Sequence, residues 1–336
     1  MKTELPNKII ISRTDSIGDV LLTIPLCFWI NNNFPKTKIV FLCKNYTIPV
    51  LNQVSVIDEI LPIDGLFDQS PSDQLSFFKK INADWIIHVF PNKKIASLAK
   101  KANIKNRVGT SHRLFHFFNC NKKVAFTRKK SSLHESQLNF HLLKPLGLNN
   151  IPSFKEINNL QSLIKKPDAD LPDILLDFIN KNEFVILHPK SQGSALEWPV
   201  DNYINLSTKL VEKNIAVVFT GTKKEGEKFR EKIPSNQLIF DSTGKLSLDQ
   251  LMTLIYKSNA IVACSTGPLH IGGFFGVKSI GLFSSRKPIH PGRWKPLGLK
   301  SNTIVYDEHC EPCRNGQSCR CIEKIPVNKV LDKILD

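Results

Sequence analysis

No apolar run in this sequence approaches the roughly 20 residues that a membrane-spanning helix needs. The longest, residues 20–30, is interrupted by Thr23 and Pro25. The amino-terminal stretch MKTELPNKIIISRTDS holds a strand-like run where a signal peptide would need a longer apolar core and a small-residue cleavage site. These absences predict a cytoplasmic chain. The glycine-rich nucleotide fingerprints are missing as well. No GxGxxG follows a first strand, and there is neither a Walker A sequence nor a GxSxG. A dinucleotide oxidoreductase and a P-loop enzyme both lose ground. Acidic residues are scarce, 30 against 46 Lys and Arg, which leaves a net charge of +16. Such a surface attracts polyanions: nucleic acid, an anionic membrane face or phosphorylated substrates. A Lys/Asn/Ile-rich composition produces the same charge with no specific partner. The basic clusters are modest (Lys100-Lys101, Lys122-Lys123, Arg128-Lys129-Lys130, Lys165-Lys166, Lys223-Lys224). An aromatic RNA-binding motif, a zinc-finger spacing and an arginine-rich arm are all lacking, so no nucleic-acid partner is expected.

What is present is a strand–helix alternation, carried twice through 336 residues. Short apolar runs at 8–12, 38–43, 58–62, 84–89 and 106–110 read as strands, with helices at 20–31, 48–53, 73–81, 95–102 and 134–146 between and after them. Pro25 places a kink or a helix start near itself. Residues 149–172 are polar, contain Pro152, Pro167 and Pro172, and read as a linker. The pattern then resumes, with strands at 184–188, 216–220, 238–240, 260–263 and 279–283. Helices fall at 171–180, 201–212, 223–232 and 247–258. The reading is an α/β chain of two doubly wound, Rossmann-like domains: residues 1–165, residues 166–325, and a terminal helix over 326–336.

In such sheets, ligands sit outside the carboxyl ends of the strands. Five loops meet that condition: 13–19, 189–199, 221–225, 241–244 and 265–270. All are expected to face one cleft. The stretch AIVACSTGPLHIGGFFGVKSIGLF at 260–283 is the most informative. Its Ser265-Thr266-Gly267-Pro268 turn reads as a hydroxyl-capped helix start aiming free N–H groups at an anion. An ordinary strand–helix loop is the competing account. His270 follows one turn later and could bond a phosphate or sit in the core. Lys190, Ser191 and Ser194 could hold a diphosphate, or merely be solvated. Thr220, Gly221 and the 241–244 turn add donors. Glu225 could accept from a ribose hydroxyl, although a solvated helix face suits it better. In the first loop, Asp19 follows Gly18 at a strand-to-helix turn, where a general base would be exposed. A carboxylate there also favours the helix macrodipole. Asp15 is the alternative, as base or as cap.

Four of the eight cysteines, Cys27, Cys43, Cys120 and Cys264, lie in or beside apolar segments as small buried hydrophobes. The other four, Cys310, Cys313, Cys319 and Cys321, cluster near the end beside His309. They could ligate zinc or an iron–sulfur group, but a Cys-x-Cys pair is tight for a closed tetrahedron. Reduced thiols in a packed loop are the default, and no cofactor is expected.

The ordered set of segments RTDSIGDVLLTIPL (13–26), RVGT (107–110), HESQLNFHLLKPLGL (134–148), HPKSQGSALEWPVDNY (188–203), FTGTKKEGE (219–227), STGKLSLDQL (242–251), STGPLHIGGFFGVKSIGLF (265–283) and the Cys-x-x-Cys tail resembles glycosyltransferase family 9, the ADP-heptose:lipopolysaccharide heptosyltransferases. The resemblance implies a GT-B architecture. It implies an amino-terminal domain that binds a lipid-linked or lipopolysaccharide acceptor and a carboxy-terminal domain that binds the nucleotide sugar, with ADP-heptose as donor. Transfer would be inverting and metal-independent, at the inner membrane face, by a peripheral protein on an anionic surface. The resemblance puts the catalytic base on Asp19 and acceptor contacts on Arg13 and Arg107. Donor contacts would fall on Lys190, Ser191, Ser194, Thr220, Gly221, Glu225, Ser265, Thr266, Gly267, Pro268 and His270. The sequence departs from the family twice. Leu196 stands where the family commonly has a phosphate-holding lysine, a role Lys190 could take over. Ser265 stands where an aspartate contacts the donor sugar. The resemblance therefore carries the family further than the sugar. Transfer of another sugar in surface-glycan synthesis, or a degenerate binding protein, are the alternatives.

Overall fold

The two sheets of the chain have the same strand order, and that order decides where each can bind a ligand. The computed structural model describes residues 5–128, 131–160 and 164–336. Residues 1–4 of the amino-terminal stretch, Lys129 and Lys130 of the basic cluster, and 161–163 of the expected linker lie outside the described residues. The chain divides into two units, Met1–Lys165 and Lys166–Asp336.

In the first unit, β1 (Lys8–Ser12), β2 (Lys38–Cys43), β3 (Glu59–Pro62), β4 (Trp85–His88), β5 (Asn106–Thr110) and β6 (Lys122–Val124) form a parallel sheet ordered β3-β2-β1-β4-β5-β6. In the second, β7 (Phe184–His188), β8 (Ala216–Phe219), β9 (Ile239–Asp241), β10 (Ala260–Cys264), β11 (Lys278–Phe283) and β12 (Ser301–Val305) are ordered β12-β11-β10-β7-β8-β9. Each sheet grows outward from its first strand in one direction and then reverses to the other side. The reversal falls between β1 and β4, where Ser12 pairs with His88, and between β7 and β10, where His188 pairs with Ala263. The central strands are buried over nearly their whole length, as continuous apolar runs in a parallel sheet require.

Several expectations are corrected. The edge strands β6 and β12 carry KKV and SNTIV, with no apolar run to announce them. The long helix expected over 134–146 is an α-helix, Glu135–Phe140, followed by a 3-10 segment, His141–Leu146, that contains Pro145. Proline lacks the N–H that would continue the α ladder. Part of the expected linker folds onto the first unit. Ser153 and Glu156 form a capping box on the helix Phe154–Asn159, and the Phe154 ring packs edge-on at 4.6 Å from His134. The charged helix expected over 223–232 is a four-residue turn, Lys223–Gly226, with a 3-10 turn at Arg230–Lys232. Pro25 sits in the first turn of the helix Ile24–Asn33, which starts beside it.

The terminal helix Val327–Leu335 packs on the second unit, where Val330, Leu331 and Ile334 join the core with Tyr203, Leu206 and Leu210. Among the described residues, no helix is long and apolar enough to cross a membrane.

The helix Gly267–Phe274 lies close to its neighbours because it carries Gly272 and Gly273. A Cβ on Gly273 would stand 2.0 Å from the carbonyl oxygen of Leu297, and one on Gly272 would stand 2.6 Å from Ser279 Oγ. Backbone cannot yield as a flexible side chain can. Gly273→Ala should therefore destabilise the chain by ~1–3 kcal/mol in urea unfolding; an unchanged midpoint would reject this close approach.

Candidate functional site

Each unit has a polar constellation at its strand-order reversal, where open parallel sheets bind ligands. In the first, the chain leaves β1 at Ser12, and Arg13 donates its backbone N–H to Leu42 at 3.0 Å. That bond turns the Arg13 side chain under the loop, where it is 3% exposed. Its Nε donates to Asp15 Oδ1 at 2.7 Å and its Nη2 to Asp19 Oδ1. Glu135 Oε1 lies 3.8 Å from Nη1. Asp19 stands in the first turn of the helix Ile17–Leu21, partly exposed, with its other oxygen accepting from Ser16 Oγ. Arg128 supports the group from behind, donating to Glu135 at 2.9 Å and to Asn139 at 3.2 Å.

One buried cation thus faces three carboxylates. Burial opposes the Arg13 charge, but Asp19, Asp15 and Glu135 outweigh it and raise its pKa. Burial raises Asp15 to about 6, against the lowering influence of Arg13 and with help from Asp19. Asp15 is therefore not the helix cap considered above. The N-cap is Ser16, whose hydroxyl is turned to Asp19. Beneath this group, Ser12 Oγ and both ring nitrogens of His88 are buried without a hydrogen-bond partner. Burial, with His116 and Arg107, pushes His88 down to about 3, so it is neutral.

Arg107 does not join the group. It is level with Ile86 in the sheet, and Ile86 is level with Ile10, three residues before Arg13. Its Nε donates to Asn119 O at 2.7 Å and its Nη1 to Ile104 O, which precedes β5. The guanidinium ties the amino end of β5, and the acceptor contact expected of it has no support in this geometry.

In the second unit, a pocket of about 270 Å³ lies at the carboxyl ends of β7, β10 and β11. Ser194, Leu196, Ser265, Arg286, Lys287 and Ile322 are among the residues that line it. Thr266 caps the helix Gly267–Phe274 by backbone position only. Its Oγ1 is buried and without a partner, contrary to the hydroxyl cap expected from sequence. Pro268 is in the first turn, and the first helical bond runs from His270 N to Thr266 O at 3.3 Å. The N–H groups ahead of it have no acceptor within the helix. His270 is buried one turn behind, and of residues 265–270 Ser265 is the one that lines the pocket.

The other side chains expected to contact the donor are occupied within the fold, and Gly221 O accepts from Gly244 N at 2.8 Å. Lys190 Nζ is 2.6 Å from Glu197 Oε2, while Glu197 Oε1 accepts from Ser191 N at 2.8 Å and Ser191 Oγ at 3.0 Å. These bonds lower the Glu197 pKa against the effect of its burial. Lys190 is not among the pocket-lining residues, whereas Leu196 is. Ser194 Oγ donates to Ser191 O at 2.7 Å. Thr220 Oγ1 is 2.9 Å from His188 Nδ1, on a histidine that burial keeps neutral. Glu225 is 5% exposed, not solvated, and closes a capping box in which its Oε2 accepts from Thr222 N at 2.7 Å and Thr222 Oγ1 at 2.9 Å. In the 241–244 turn, Asp241 accepts from Thr243 and from Arg230 Nε at 2.7 Å, which closes the turn on itself.

The pocket cations Arg286 and Lys287 were missed from sequence. They follow β11 in SSRKP, which matches no phosphate motif. The available signal was their position after the carboxyl end of an expected strand, which they share with the five loops singled out.

The profile of glycosyltransferase family 9 (heptosyltransferase) matches residues 77–322, well over half of the chain, and the chain belongs to that family. The lipopolysaccharide core heptosyltransferase OpsX of Haemophilus influenzae is 24% identical over 336 aligned positions, covering 92% of this chain and 87% of its own. Among solved structures, a family 9 glycosyl transferase from Veillonella parvula superposes with a TM-score of 0.80 at 19% identity, covering 98% of this chain and 97% of its own. The Escherichia coli heptosyltransferase WaaC, solved with ADP, does so with a TM-score of 0.72 at 16% identity, covering 98% and 99%. The fold is that of the GT-B class, with two doubly wound α/β sheets.

The raised Asp15 has a consequence for stability. Its carboxyl loses its proton near 3.8 when unfolded but near 6 when folded. Between those values the folded state holds more protons, so stability falls as pH rises. Asp15→Asn keeps the side chain neutral throughout. Its melting temperature should match the parent near pH 4 and exceed it above pH 6; a constant offset across that range would reject the shift.

Proposed function

We propose that the chain is an inverting, metal-independent glycosyltransferase that moves a heptose from ADP-heptose to a lipopolysaccharide core or other lipid-linked acceptor. In this reading the first unit binds the acceptor and the second the donor. The observation that carries it is Asp19, a partly exposed carboxylate with one oxygen held by a buried arginine and the other by Ser16. Each oxygen keeps a further lone pair for a proton. Asp19 takes the proton of the acceptor hydroxyl as that oxygen attacks the anomeric carbon from the face opposite the diphosphate. The new C–O bond forms as the bond to the diphosphate breaks. Asp19 lies ahead of the profile-matched span 77–322, so its role rests on this local geometry and on the resemblance of its loop.

The leaving diphosphate needs fixed positive charge and donors. Arg286 and Lys287 supply the charge, and Ser265 on the pocket wall supplies a hydroxyl donor beside the N-terminus of the helix Gly267–Phe274. Lys190 is the weaker choice because Glu197 already holds it. ADP is the natural first probe, since WaaC was solved with it. Ser265 on the pocket wall favours one further reading, transfer of a different sugar, which a panel of nucleotide sugars would reveal through the largest melting shift.

Peripheral association with an anionic membrane is supported by a surface absent from the sequence reading. The helix Leu114–Asn119 exposes Leu114 (77%), Phe117 (54%) and Phe118 (69%). Lys123 Nζ stands 5.3 Å over the Phe117 ring, and Lys100 Nζ donates to Phe118 O at 2.8 Å. Apolar side chains rimmed by lysines suit the headgroup region of an anionic bilayer.

Asp19→Asn should lower transfer by at least about 100-fold while leaving ADP affinity intact; near-normal turnover would reject the base. Arg286→Ala should weaken ADP binding about tenfold, a change of ~1.4 kcal/mol, and Lys190→Ala by less. The reverse ranking in calorimetry would return the phosphate role to Lys190. Phe117→Ser with Phe118→Ser should abolish sedimentation with phosphatidylglycerol vesicles without changing turnover on a soluble acceptor analogue. Undiminished sedimentation would reject the docking surface.

A further inference from the structure

The four late cysteines converge on one point. The Sγ atoms of Cys310, Cys313, Cys319 and Cys321 all lie within 4.8 Å of one another. Cys319 and Cys321 are 3.1 Å apart, Cys310 and Cys321 3.2 Å, and Cys310 and Cys319 3.5 Å. None is disulfide-bonded. Four sulfurs around a tetrahedral ion with metal–sulfur bonds of about 2.3 Å would stand about 3.8 Å apart. The cage has that size. The tightness expected of the Cys-x-Cys spacing is relieved by the backbone. Arg320, at φ −100° and ψ 21°, is not extended and leads into the 3-10 turn Cys321–Lys324. Both thiols therefore turn to the same side, where an extended strand would point them apart.

Ile322 anchors the end of their segment in the core of the second unit, but residues 310–320 have little else to hold them. The single helical turn Glu311–Arg314 and that 3-10 turn are its regular structure. Its buried cluster is made of Cys310, Cys313 and Cys321, with Cys319 packed against it. Four thiols are too small a core to order such a stretch, and short segments of this kind are commonly fixed by a metal. We propose that Cys310, Cys313, Cys319 and Cys321 bind one thiophilic divalent cation, Zn²⁺ or Fe²⁺, in a closed tetrathiolate site. Binding releases the thiol protons to solvent. With four protein ligands the ion has no open position for substrate, so its role is structural.

The segment it fixes supports the pocket of the second unit. Cys313 O accepts from Lys287 N at 3.3 Å, and Ile322, next to Cys321, lines the pocket together with Arg286 and Lys287. The ion thereby holds the loop that carries the pocket cations.

The test is elemental analysis of the full chain purified under reducing, anaerobic conditions, with no donor or acceptor present. About one equivalent of zinc or iron per chain is expected, and which of the two is found identifies the resident ion. Replacement by Co²⁺ should give thiolate-to-cobalt charge-transfer absorption and tetrahedral d–d bands. Cys313→Ser and Cys321→Ser should each reduce the metal to below about a tenth of an equivalent. Should those variants fail to fold, the cobalt spectrum of the unaltered chain decides alone. Less than about a tenth of an equivalent, both as purified and after incubation with Zn²⁺ or Fe²⁺, would overturn the site. So would recovery of the four cysteines as two disulfides. Metal loading should also slow hydrogen exchange over residues 284–290; metal bound without such slowing would overturn its support of the pocket wall.

Discussion

The parallel pairing of β7 with β10 is the contact on which the second unit depends. It brings together two strands separated in sequence by two further strands and their helices. It also reverses the direction in which the sheet grows. Loops that cover neighbouring strands elsewhere part at such a reversal, because their helices lie on opposite faces. Leu196 from one side and Ser265 from the other consequently line one pocket. The first sheet repeats the arrangement with β1 and β4, and the loop that leaves β1 carries the buried Arg13 and its carboxylates.

That cluster has its own logic. A guanidinium buried among three carboxylates cannot satisfy all of them equally, since two negative charges remain for each positive one neutralised. Arg128 takes up part of the excess at Glu135, and the raised Asp15 takes up another part by holding a proton longer. Asp15 and Asp19 both meet Arg13 and the surface, and Asp19 is the one placed in the first turn of a helix, with Ser16 on its second oxygen. The geometry of the Asp19 carboxylate is thus set by Arg13 and Ser16, and that of Arg13 by Asp15 and Glu135.

Much of the fold was legible because buried parallel strands are written as apolar runs: KIIIS, KIVFLC, FVILH and AIVAC all became central or near-central strands. Of the four edge strands, β3 and β9 keep short apolar runs and were legible, whereas β6 and β12 were not, because KKV and SNTIV carry no run. The strand-to-helix junctions that carry Asp19 and the turn after β10 were legible because each holds a glycine between an apolar run and a helix start. The fates of Lys190 and Thr220 were not. Lys190 meets Glu197 seven positions on only once its loop has closed, and Thr220 meets His188 because β7 and β8 pair; Glu225 closes a Thr-x-x-Glu capping box whose spacing was in the sequence and was overlooked. Sequence can show that a cation is available; only the folded loop shows whether it is already taken. The backbone at Arg320, which decides whether the two thiols of the Cys-x-Cys pair face one side, is likewise not written in the spacing.

Trp198 buries its indole at the base of the 189–199 loop and donates from Nε1 to Ile325 O at 3.0 Å, across 127 positions of sequence. Ile322, Ile325, Val330 and Ile334 complete the same core. In a chain made from one end to the other, this loop emerges long before the residues that anchor it. The pocket wall therefore cannot take its final shape until residues 322–334 have been made and have packed against it.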